Sequence, residues 1–300
     1  MTLIQFPEVW VAGESLIDVI SYSDGSCSLT VGGGPANTAK ALSKLRIATS
    51  YVGGFSLDDY GIQIQKELSS FGVNLESCWS SKLPTARALA TLNRDGSAKY
   101  DFQLENTASF DFRSESLPSG SPKVLHIGSL GTLLEPGATS LFNWAKKIKA
   151  IKIFDPNIRP SVLEDKTKYR SNFESWLSII DVVKLSQDEF FWLYNEESSP
   201  SELLEHGPSL VVMTMGADGI VGAFGTTLVH VPAVRTEVVD TVGAGDTVGA
   251  VIAEAIVNLG ISGLMYDLES VLIRASKAAA INCSRAGANP PWKEELDLAL

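Results

Sequence analysis

Apolar residues follow two alternating patterns along most of the chain. Short, near-continuous apolar runs predict strands that are buried on both faces, and apolar spacings of three and four residues predict helices between them. This alternation is typical of a doubly wound α/β fold, with a mostly parallel sheet flanked by helices. The predicted strands are Val9–Ala12, Val124–Ile127, Ile151–Phe154, Val182–Leu185 and Leu210–Thr214, and the predicted helices include Ala36–Leu45, Ile62–Phe71 and Leu141–Ile148.

Two segments, residues 16–31 and 86–104, depart from this alternation. Polar and apolar residues alternate in them, and no helical pattern separates their strands. The second segment predicts a strand at Ala86–Leu92, a turn at Asn93–Gly96 and a strand at Ala98–Gln103. We therefore predict a small antiparallel flap beside the main sheet. No long linker rich in Pro or Ser divides the sequence, so residues 1–300 are expected to form one domain.

The composition indicates an ordinary globular protein and argues against some classes of binding partner. Apolar residues make up 45% of the 300-residue chain and charged residues 20%, the balance of an ordinary globular protein. The net charge of −11 argues against a general affinity for nucleic acid or anionic membranes. The three cysteines form no disulfide or zinc pattern. No Lys or Arg precedes Lys40, and no uninterrupted apolar run reaches the roughly 18 residues of a membrane span, so we expect a cytoplasmic protein.

A glycine-rich turn precedes an apolar helix that is predicted to end near Gly260. Gly243, Ala244 and Gly245 have almost no side chain, so their N–H groups can converge on an anion beside the positive end of the helix. Asp246 follows them at once. A carboxylate suits this place if it accepts the proton of a hydroxyl that attacks a phosphorus atom. The alternative is an ordinary helix N-cap, and the spacing alone leaves both open.

Other polar residues follow a predicted buried strand. Asp155, Asn157 and Arg159 come directly after Ile151–Phe154, at the edge where open α/β sheets bind ligands. The guanidinium of Arg159 offers a planar set of donors that suits a phosphate or a sugar. Asp155 is alternatively a turn residue paired with Arg159. His126, within an apolar strand, is expected to be a hydrogen-bonded core residue without acid–base chemistry.

Four segments, in order along the chain, resemble the ribokinase-like (PfkB) carbohydrate kinases. The segments Asp155–Pro160 and Ser284–Trp292 are similar to the fructokinase branch of that family. The resemblance as a whole covers residues 9 to 292. It implies a ribokinase-like fold with a small β-strand lid at 16–31 and 86–104. It also implies transfer of a phosphoryl group from ATP to a small neutral sugar, in the presence of Mg²⁺. The sugar implied is D-fructose, and the product is fructose 6-phosphate. The segments are Gly32–Leu42 (GGGPANTAKAL), Asp155–Pro160 (DPNIRP), Val239–Ala250 (VDTVGAGDTVGA) and Ser284–Trp292 (SRAGANPPW).

The same resemblance assigns roles to individual residues. It implies that Asp246 is the catalytic base, with Gly243, Ala244 and Gly245 stabilising the transferred group. The sugar contacts that we predict from these motifs are Asp18, Gly33, Gly34, Asn37, Arg87, Phe102, Asn157 and Arg159. The residues expected beside the nucleotide phosphates are Lys184, Thr214, Gly216, Gly219 and Gly245.

Two metal sites are implied in the same way. Glu189 is expected to bind Mg²⁺ through water, although this chain has Ser186 where the family usually has Asn. Lys184, in the same motif, points either at phosphate or at a surface carboxylate. A monovalent cation such as K⁺ is expected near Asp240, Val242, Asn282, Arg285 and Gly287.

Two alternatives remain open at the level of sequence. One is a related kinase for 2-keto-3-deoxygluconate, ribose or a nucleoside. An acidic acceptor would need extra cations in the lid, where only Arg87, Arg94 and Lys99 occur, so a neutral sugar is favoured. The other is a sugar-binding regulator without catalysis, which Ser186 favours and Asp246 opposes. A homodimer formed through the lid is a further expectation.

Overall fold

The structure, a computed structural model, describes residues 7–21, 26–92, 98–163 and 165–299. The predicted turn at Asn93–Gly96, with Arg94, and the side chain of Lys99 lie outside the described residues. The strands are β1 (Val9–Ala12), β2 (Leu16–Ser21), β3 (Cys27–Gly32), β4 (Thr49–Val52), β5 (Gly54–Ser56), β6 (Trp79–Ser81), β7 (Arg87–Leu92), β8 (Ala98–Gln103), β9 (Val124–Gly128), β10 (Ile151–Asp155), β11 (Val182–Ser186), β12 (Leu210–Thr214), β13 (Ile220–Phe224) and β14 (Thr227–Val231). The helices are α1 (Gly34–Lys44), α2 (Asp59–Ser70), α3 (Gly137–Ala145), α4 (Lys166–Leu177), α5 (Gln187–Leu193), α6 (Ala244–Tyr266), α7 (Leu268–Cys283) and α8 (Lys293–Leu298).

The main sheet has eight strands in the order β14-β13-β12-β11-β10-β9-β1-β4. From β4 to β12 neighbouring strands are parallel, and β13 and β14 add an antiparallel edge. The prediction of a mostly parallel sheet is therefore confirmed, and all five predicted strands belong to it. A separate pair, β5 and β6, is parallel.

Successive residues of the central strands face different helical layers. Val9 and Val11 of β1 pack in the core formed with α1, α2, α6 and α7, whereas Trp10 and Ala12 pack in the core with α3, α4 and α5. Because side chains alternate along a strand, a strand covered on both faces must be apolar at nearly every position. This explains the continuous apolar runs that identify the strands in the sequence.

Helix α6 is the long apolar helix that follows the glycine-rich turn. Its backbone leaves helical geometry at Gly260 (φ 70°, ψ 168°), the residue at which the sequence predicts its end, and a short second helical piece continues to Tyr266. Among the described residues, α6 alone is long and apolar enough to match a membrane span, and 61% of its apolar stretch is buried. Its burial against α1 and α7 is that of a core helix.

A second sheet has four strands in the order β3-β2-β7-β8, drawn from the two segments that break the α/β alternation. The β2–β3 and β7–β8 pairs are antiparallel, but β2 and β7 are parallel, so the prediction of a purely antiparallel flap is wrong. Between the two antiparallel pairs the chain passes through α1, β4, β5, α2 and β6, and this long connection brings β7 back beside β2 in the same direction. Parallel pairing requires such a crossover.

The carboxyl ends of the central strands lie side by side. Asp155, the last residue of β10, pairs with Gly128 of β9, and Ser186, the last of β11, pairs with Thr214 of β12. Residues that follow these strands therefore meet at one edge of the sheet. The start of α6 reaches the same edge, because Asp246 lies beside Gly34 and Asn37 at the start of α1.

Replacement of Leu42, a fully buried residue of α1, tests the packing of this helix against the main sheet. We expect Leu42→Ala to lower the free energy of unfolding by about 2–5 kcal/mol, because it leaves a cavity in a close-packed core. Urea denaturation measures the change. The control is Leu298→Ala at a side chain that is 89% exposed, where we expect a change within about 0.5 kcal/mol. Equal effects at the two positions would contradict the assigned packing.

Candidate active site

The glycine-rich turn forms the first turn of α6. Gly243 is the N-cap residue and adopts the left-handed conformation (φ 78°), which glycine reaches at little cost. The backbone N–H and hydroxyl of Thr247 both donate to the Gly243 carbonyl. Asp246 is thus inside the helix, and the alternative in which it caps the helix is wrong. Of the predicted anion donors, the Ala244 N–H already donates to the Thr241 carbonyl at 3.2 Å.

Asp246 is held from the other side by α1. Asn37 Nδ2 donates to Asp246 Oδ2 at 3.0 Å, across 209 residues of sequence. Asn37 is 6% exposed, and its Oδ1 is buried without a partner among the described residues. The sugar contact that the sequence predicts for Asn37 stays a prediction; the structure shows that its amide donates to the carboxylate of Asp246.

A buried ion pair lies beneath the start of α6. Lys184 Nζ donates to Asp155 Oδ2 at 2.8 Å, and both side chains are buried. Asp155 is therefore the partner of Lys184 and not of Arg159, and Lys184 does not reach a surface carboxylate. A Cβ on Gly245 would lie 2.8 Å from Lys184 Nζ. The absence of a side chain at Gly245 thus lets an ammonium approach the helix N-terminus.

These neighbours set the charge of Asp246. Burial, and then the negative charge of Asp155, raise the pKa of Asp246 to about 7, while Lys184, Asn37 and Arg159 act to lower it. Burial alone would lower the pKa of Lys184, but the adjacent carboxylates, Asp155 first, hold it above its usual value. A carboxyl whose pKa lies near neutrality can both accept and release a proton, as a general base requires.

Asn157 and Gly34 complete the floor of the site. Asn157 has a left-handed backbone (φ 43°), and its Nδ2 donates to Ser129 Oγ at 3.2 Å. A Cβ on Gly34 would lie 2.6 Å from Asn157 Nδ2 and 3.2 Å from Asp246 Oδ1. Only glycine at this position leaves room between the amide and the carboxylate. Arg159 is exposed, and its Nη1 donates to the Ile158 carbonyl at 3.1 Å.

The predicted lid residues lie on the four-stranded sheet. Asp18, on β2, is half-buried, and burial raises its pKa to about 6, against the opposing charges of Arg159 and Lys40. Arg87 begins β7 opposite Ile17 of β2. Phe102 of β8 packs against the small apolar cluster that joins this sheet to the main body. Arg87 and Phe102 also line a cleft of 490 Å³ along β8.

Gly32 and Gly33 connect this sheet to α1. A Cβ on Gly32 would collide with the carboxylate of Asp18. Gly33 has a φ of 102° and is the N-cap of α1, and a Cβ there would lie 2.7 Å from the Glu14 carbonyl. The glycines of the first motif are therefore required for close packing around Asp18 and the start of α1.

Glu189 and Ser186 form a capping box at the start of α5. The Ser186 hydroxyl accepts from the Glu189 N–H at 3.2 Å, and Glu189 Oε2 accepts from the Ser186 N–H at 2.6 Å. Glu189 Oε1 accepts from the Ile158 N–H, so both carboxylate oxygens bind backbone donors. Burial raises the pKa of Glu189, as does Asp155. Its role toward Mg²⁺ remains a prediction, and Ser186 acts here as a helix cap.

The site nevertheless fits a metal-bound nucleotide by the chemistry of its donors. Asp155 Oδ1 is buried and has no hydrogen-bond partner among the described residues, and carboxylate oxygens are preferred by Mg²⁺. Lys184 and the N-terminus of α6 supply positive charge for phosphate oxygens. The described residues contain no cluster of three or more His, Cys, Asp and Glu side chains, so an all-protein metal cage is not formed by them.

The remaining predicted residues lie in two groups. Thr214 ends β12, and a turn with left-handed Gly216 (φ 55°) and Gly219 (φ 100°) leads into β13. The predicted cation residues are close in space: Asp240 Oδ2 accepts from the Gly287 N–H at 2.9 Å, and Asn282 Nδ2 donates to the Val242 carbonyl at 2.8 Å. The guanidinium of Arg285 instead pairs with Glu295.

Three buried residues beside the site were not predicted as part of it. His126 is a core residue, as expected: it is 1% exposed, and neither ring nitrogen has a hydrogen-bond partner among the described residues. Burial lowers its pKa to about 4, which keeps it neutral. Ser129 and Glu14 were also missed, although each follows an apolar strand at the edge where the ligand residues were sought.

A buried carboxyl, a buried ammonium and a helix N-terminus meet at one sheet edge, an arrangement that suits a phosphoryl-transfer site. Comparison with known proteins agrees. The sequence pattern described as pfkB family carbohydrate kinase matches residues 7–295. The chain is 32% identical over 250 residues to a fructokinase of Rhizobium leguminosarum bv. trifolii, covering 79% of this chain and 76% of that one. It is 26% identical over 304 residues to the Escherichia coli fructokinase, covering 97% and 98%.

Solved structures give the same result for the fold. A fructokinase of Xylella fastidiosa with bound ATP superposes with a TM-score of 0.88 at 23% identity, covering 98% of each chain. A sugar kinase of Pyrococcus horikoshii in complex with ATP superposes with a TM-score of 0.84 at 26% identity, covering 96% of each chain. This chain belongs to the pfkB family of carbohydrate kinases, and its fold is ribokinase-like.

The capping box yields a test of Ser186. We expect Ser186→Ala to lower the free energy of unfolding by about 1 kcal/mol, because the Glu189 N–H loses its acceptor. Ser186→Asn should be within about 0.5 kcal/mol of the native chain, since Asn caps helices as well as Ser does. Chemical denaturation of both variants measures the difference. A loss in Ser186→Asn as large as that in Ser186→Ala would argue against the capping role.

Proposed function

We propose that this kinase transfers the γ-phosphoryl group of ATP to D-fructose, giving fructose 6-phosphate and ADP. The observation that carries the proposal is the carboxylate of Asp246, which lies in the first turn of α6, accepts from Asn37 and has a pKa near neutrality. The fructokinase relatives support fructose as the acceptor. The fructokinase of Xylella fastidiosa and the sugar kinase of Pyrococcus horikoshii, both with ATP, support ATP as the donor.

In the proposed reaction, the acceptor hydroxyl lies between Asp246 and the terminal phosphate. Asp246 takes the hydroxyl proton as the hydroxyl oxygen bonds to the γ-phosphorus, and the bond from that phosphorus to the oxygen of ADP breaks. Lys184 and the start of α6 offset the negative charge of the transferred group. Bound Mg²⁺ would neutralise the ATP phosphates, with Asp155 Oδ1 and, through water, Glu189 as the nearby carboxylates.

Sugar recognition is assigned to the two sides of this site. The proposed contacts from the floor are Gly33, Gly34, Asn37, Asn157 and Arg159. Those from the lid segments, residues 16–31 and 86–104, are Asp18, Arg87 and Phe102. Closure of such a lid would exclude water and limit wasteful ATP hydrolysis. The mixture of carboxylates and amides favours the hydroxyl groups of a neutral sugar over an acidic one.

The proposal extends to the nucleotide phosphates, a second cation, the compartment and the oligomeric state. Thr214, Gly216 and Gly219 would contact the nucleotide phosphates. A monovalent cation such as K⁺ would bind near Asp240 and Asn282; the Oδ1 atom of Asn282 is buried and has no hydrogen-bond partner among the described residues. The net charge of −11 supports an enzyme of small molecules with neither nucleic acid nor an anionic membrane as partner, and we expect it to act in the cytoplasm. β3 is a largely exposed edge strand of the four-stranded sheet, which leaves it able to pair with a second copy in a homodimer through the lid.

ADP release in the presence of different acceptors tests the proposal as a whole. We expect turnover with D-fructose to exceed that with ribose, 2-keto-3-deoxygluconate or a nucleoside by at least about tenfold in kcat/KM. A coupled assay for ADP, with each acceptor in turn, gives these values. A preference for one of the other acceptors would replace fructose, and no turnover with any would favour a sugar-binding regulator.

Replacement of the base tests the mechanism. We expect Asp246→Asn to keep ATP binding within about twofold while kcat falls by about 10²–10⁴, the contribution of general base catalysis. Asparagine keeps the shape of the side chain and an oxygen for the Asn37 donor. Asp267→Asn, at the exposed far end of α6, is the matched control and should retain full turnover. Near-native turnover in Asp246→Asn would overturn the mechanism.

The pKa of Asp246 predicts the pH dependence. The base must be ionised to accept a proton, so log kcat/KM, which reports the free enzyme, should fall with a slope of about one as the pH drops below about 7. Initial rates between pH 5 and 9 at limiting concentrations of ATP and fructose measure this limb. A plateau that extends to pH 5 would show that the carboxyl titrates at its ordinary value.

A further inference from the structure

A buried carboxylate lies behind the acceptor side of the site and has no part in the reaction described above. Glu14, between β1 and β2, is 1% exposed. The Gly131 N–H donates to Glu14 Oε2 at 2.9 Å. Burial raises the pKa of the Glu14 carboxyl, and the Ser129 hydroxyl, the Gly131 N–H and its own backbone N–H act to lower it as donors to the carboxylate. A buried carboxylate costs free energy unless donors surround it, so this arrangement is a built one.

Two residues at this edge of the sheet, one beside the carboxylate and one beyond it, have left-handed backbones. Ser129 (φ 62°) follows β9 and Asn157 (φ 43°) follows β10, and both are left-handed although neither is glycine. Such conformations cost free energy and persist only where the surrounding structure determines them. The hydrogen bonds of Glu14 to Ser129 and Gly131 hold the first of these turns. The bond from Asn157 Nδ2 to Ser129 Oγ, 3.2 Å long, links it to the second.

The bonds in this chain of residues have one direction. Asn157 Nδ2 donates to Ser129 Oγ, and the Ser129 hydroxyl then has its single hydrogen for Glu14. In its ionised form the carboxylate of Glu14 only accepts hydrogen bonds, so the series of donors ends there. The direction of these hydrogen bonds places the Nδ2 atom of Asn157, rather than its oxygen, toward Ser129 and Gly34. Asp246 Oδ1 also lies beside Gly34.

We propose that Glu14 is a positioning residue for the acceptor sugar: acting through Ser129, its carboxylate orients the Asn157 amide beside Asp246. The inference rests on the proposed sugar kinase function and deepens it, because it assigns a cause to the orientation of one sugar-binding side chain. Glu14 itself touches neither Asn157 nor the acceptor. Its removal should therefore change the recognition of the sugar and leave the recognition of ATP as it is.

Glu14→Gln tests the direction of the bonds with almost no change in shape. Glutamine has one acceptor oxygen and one NH₂ group, yet Ser129 and Gly131 both direct donors at this side chain. If the NH₂ group faces Ser129, the hydroxyl must turn and donate to Asn157, whose amide must then rotate. We expect the KM for fructose to rise about five- to tenfold, with the KM for ATP changed less than about twofold.

Ser129→Ala removes the middle of the chain while Glu14 keeps its charge, and it carries the test if Glu14→Gln does not fold. It should raise the KM for fructose by a similar factor. The double variant should be no worse than either single one, because both changes break the same connection. Rate measurements over a matrix of fructose and ATP concentrations give all of these values.

Glu254→Gln is the matched control for loss of a buried carboxylate. Glu254 is 5% exposed and lies in α6 beyond its first turn. Its Oε2 atom is 2.8 Å from Nε of Arg274 in α7. We expect it to lower Tm without a change in either KM. If Glu14→Gln behaves in the same way, with a lower Tm but an unchanged KM for fructose, Glu14 is structural and the inference is overturned.

The outcomes also separate this inference from the proposed function. If the native chain phosphorylates no sugar, the proposed function fails, and the inference fails with it. If the native chain is active but Glu14→Gln and Ser129→Ala leave the KM for fructose unchanged, only the inference fails. An equal rise in the KM for ATP would overturn it as well, because the effect would then not be confined to the acceptor.

Discussion

The buried ammonium of Lys184 is the charge on which the rest of the site depends. It lies 2.8 Å from Asp155 Oδ2, and Asp155, Glu189 and Asp246 all act to keep it protonated. Three carboxyl groups this close would repel one another in a medium of low dielectric constant without a cation among them. They come from the end of β10 and the starts of α5 and α6, so the cluster forms only when the sheet edge is complete.

The same cluster explains how Asp246 can be both buried and reactive. Burial and Asp155 act against its ionised form, and Lys184, Asn37 and Arg159 act in favour of it. The balance leaves the carboxyl poised near neutrality, whereas an exposed Asp would be a much weaker base. The positions of the neighbouring charges therefore set the pKa of the Asp246 carboxyl, and a displacement of any one of them changes that pKa.

The sequence predicts the strands of the main sheet because strands covered on both faces must be apolar throughout. The glycines before Asp246 left its role open, and the resemblance to a kinase family singled it out. The sequence does not predict the bond from Asn37 to Asp246, whose partners are 209 residues apart, or the pairing of Lys184 with Asp155. Such pairings depend on which strand ends meet, which a local pattern does not contain. The parallel pairing of β2 with β7 was missed for the same reason.

Ser129 and Glu14 show a different limit of sequence reasoning. A serine after a strand and a glutamate before one are common, and nothing in their spacing distinguishes them. Their importance lies in burial and in left-handed backbone geometry, both of which are properties of the folded chain. The resemblance to a kinase family identified the side chains expected to touch ligands but not those that hold them in place.

The connection between β3 and α1 has a mechanical consequence. β3 ends at Gly32 and α1 begins at Gly34, so Gly33 alone separates an outer strand of the four-stranded sheet from the helix that carries Asn37. A connection of one residue has little length in which to absorb a displacement of the strand. Any displacement of the four-stranded sheet relative to the main sheet would therefore move the start of α1, and with it the Asn37 amide that donates to Asp246.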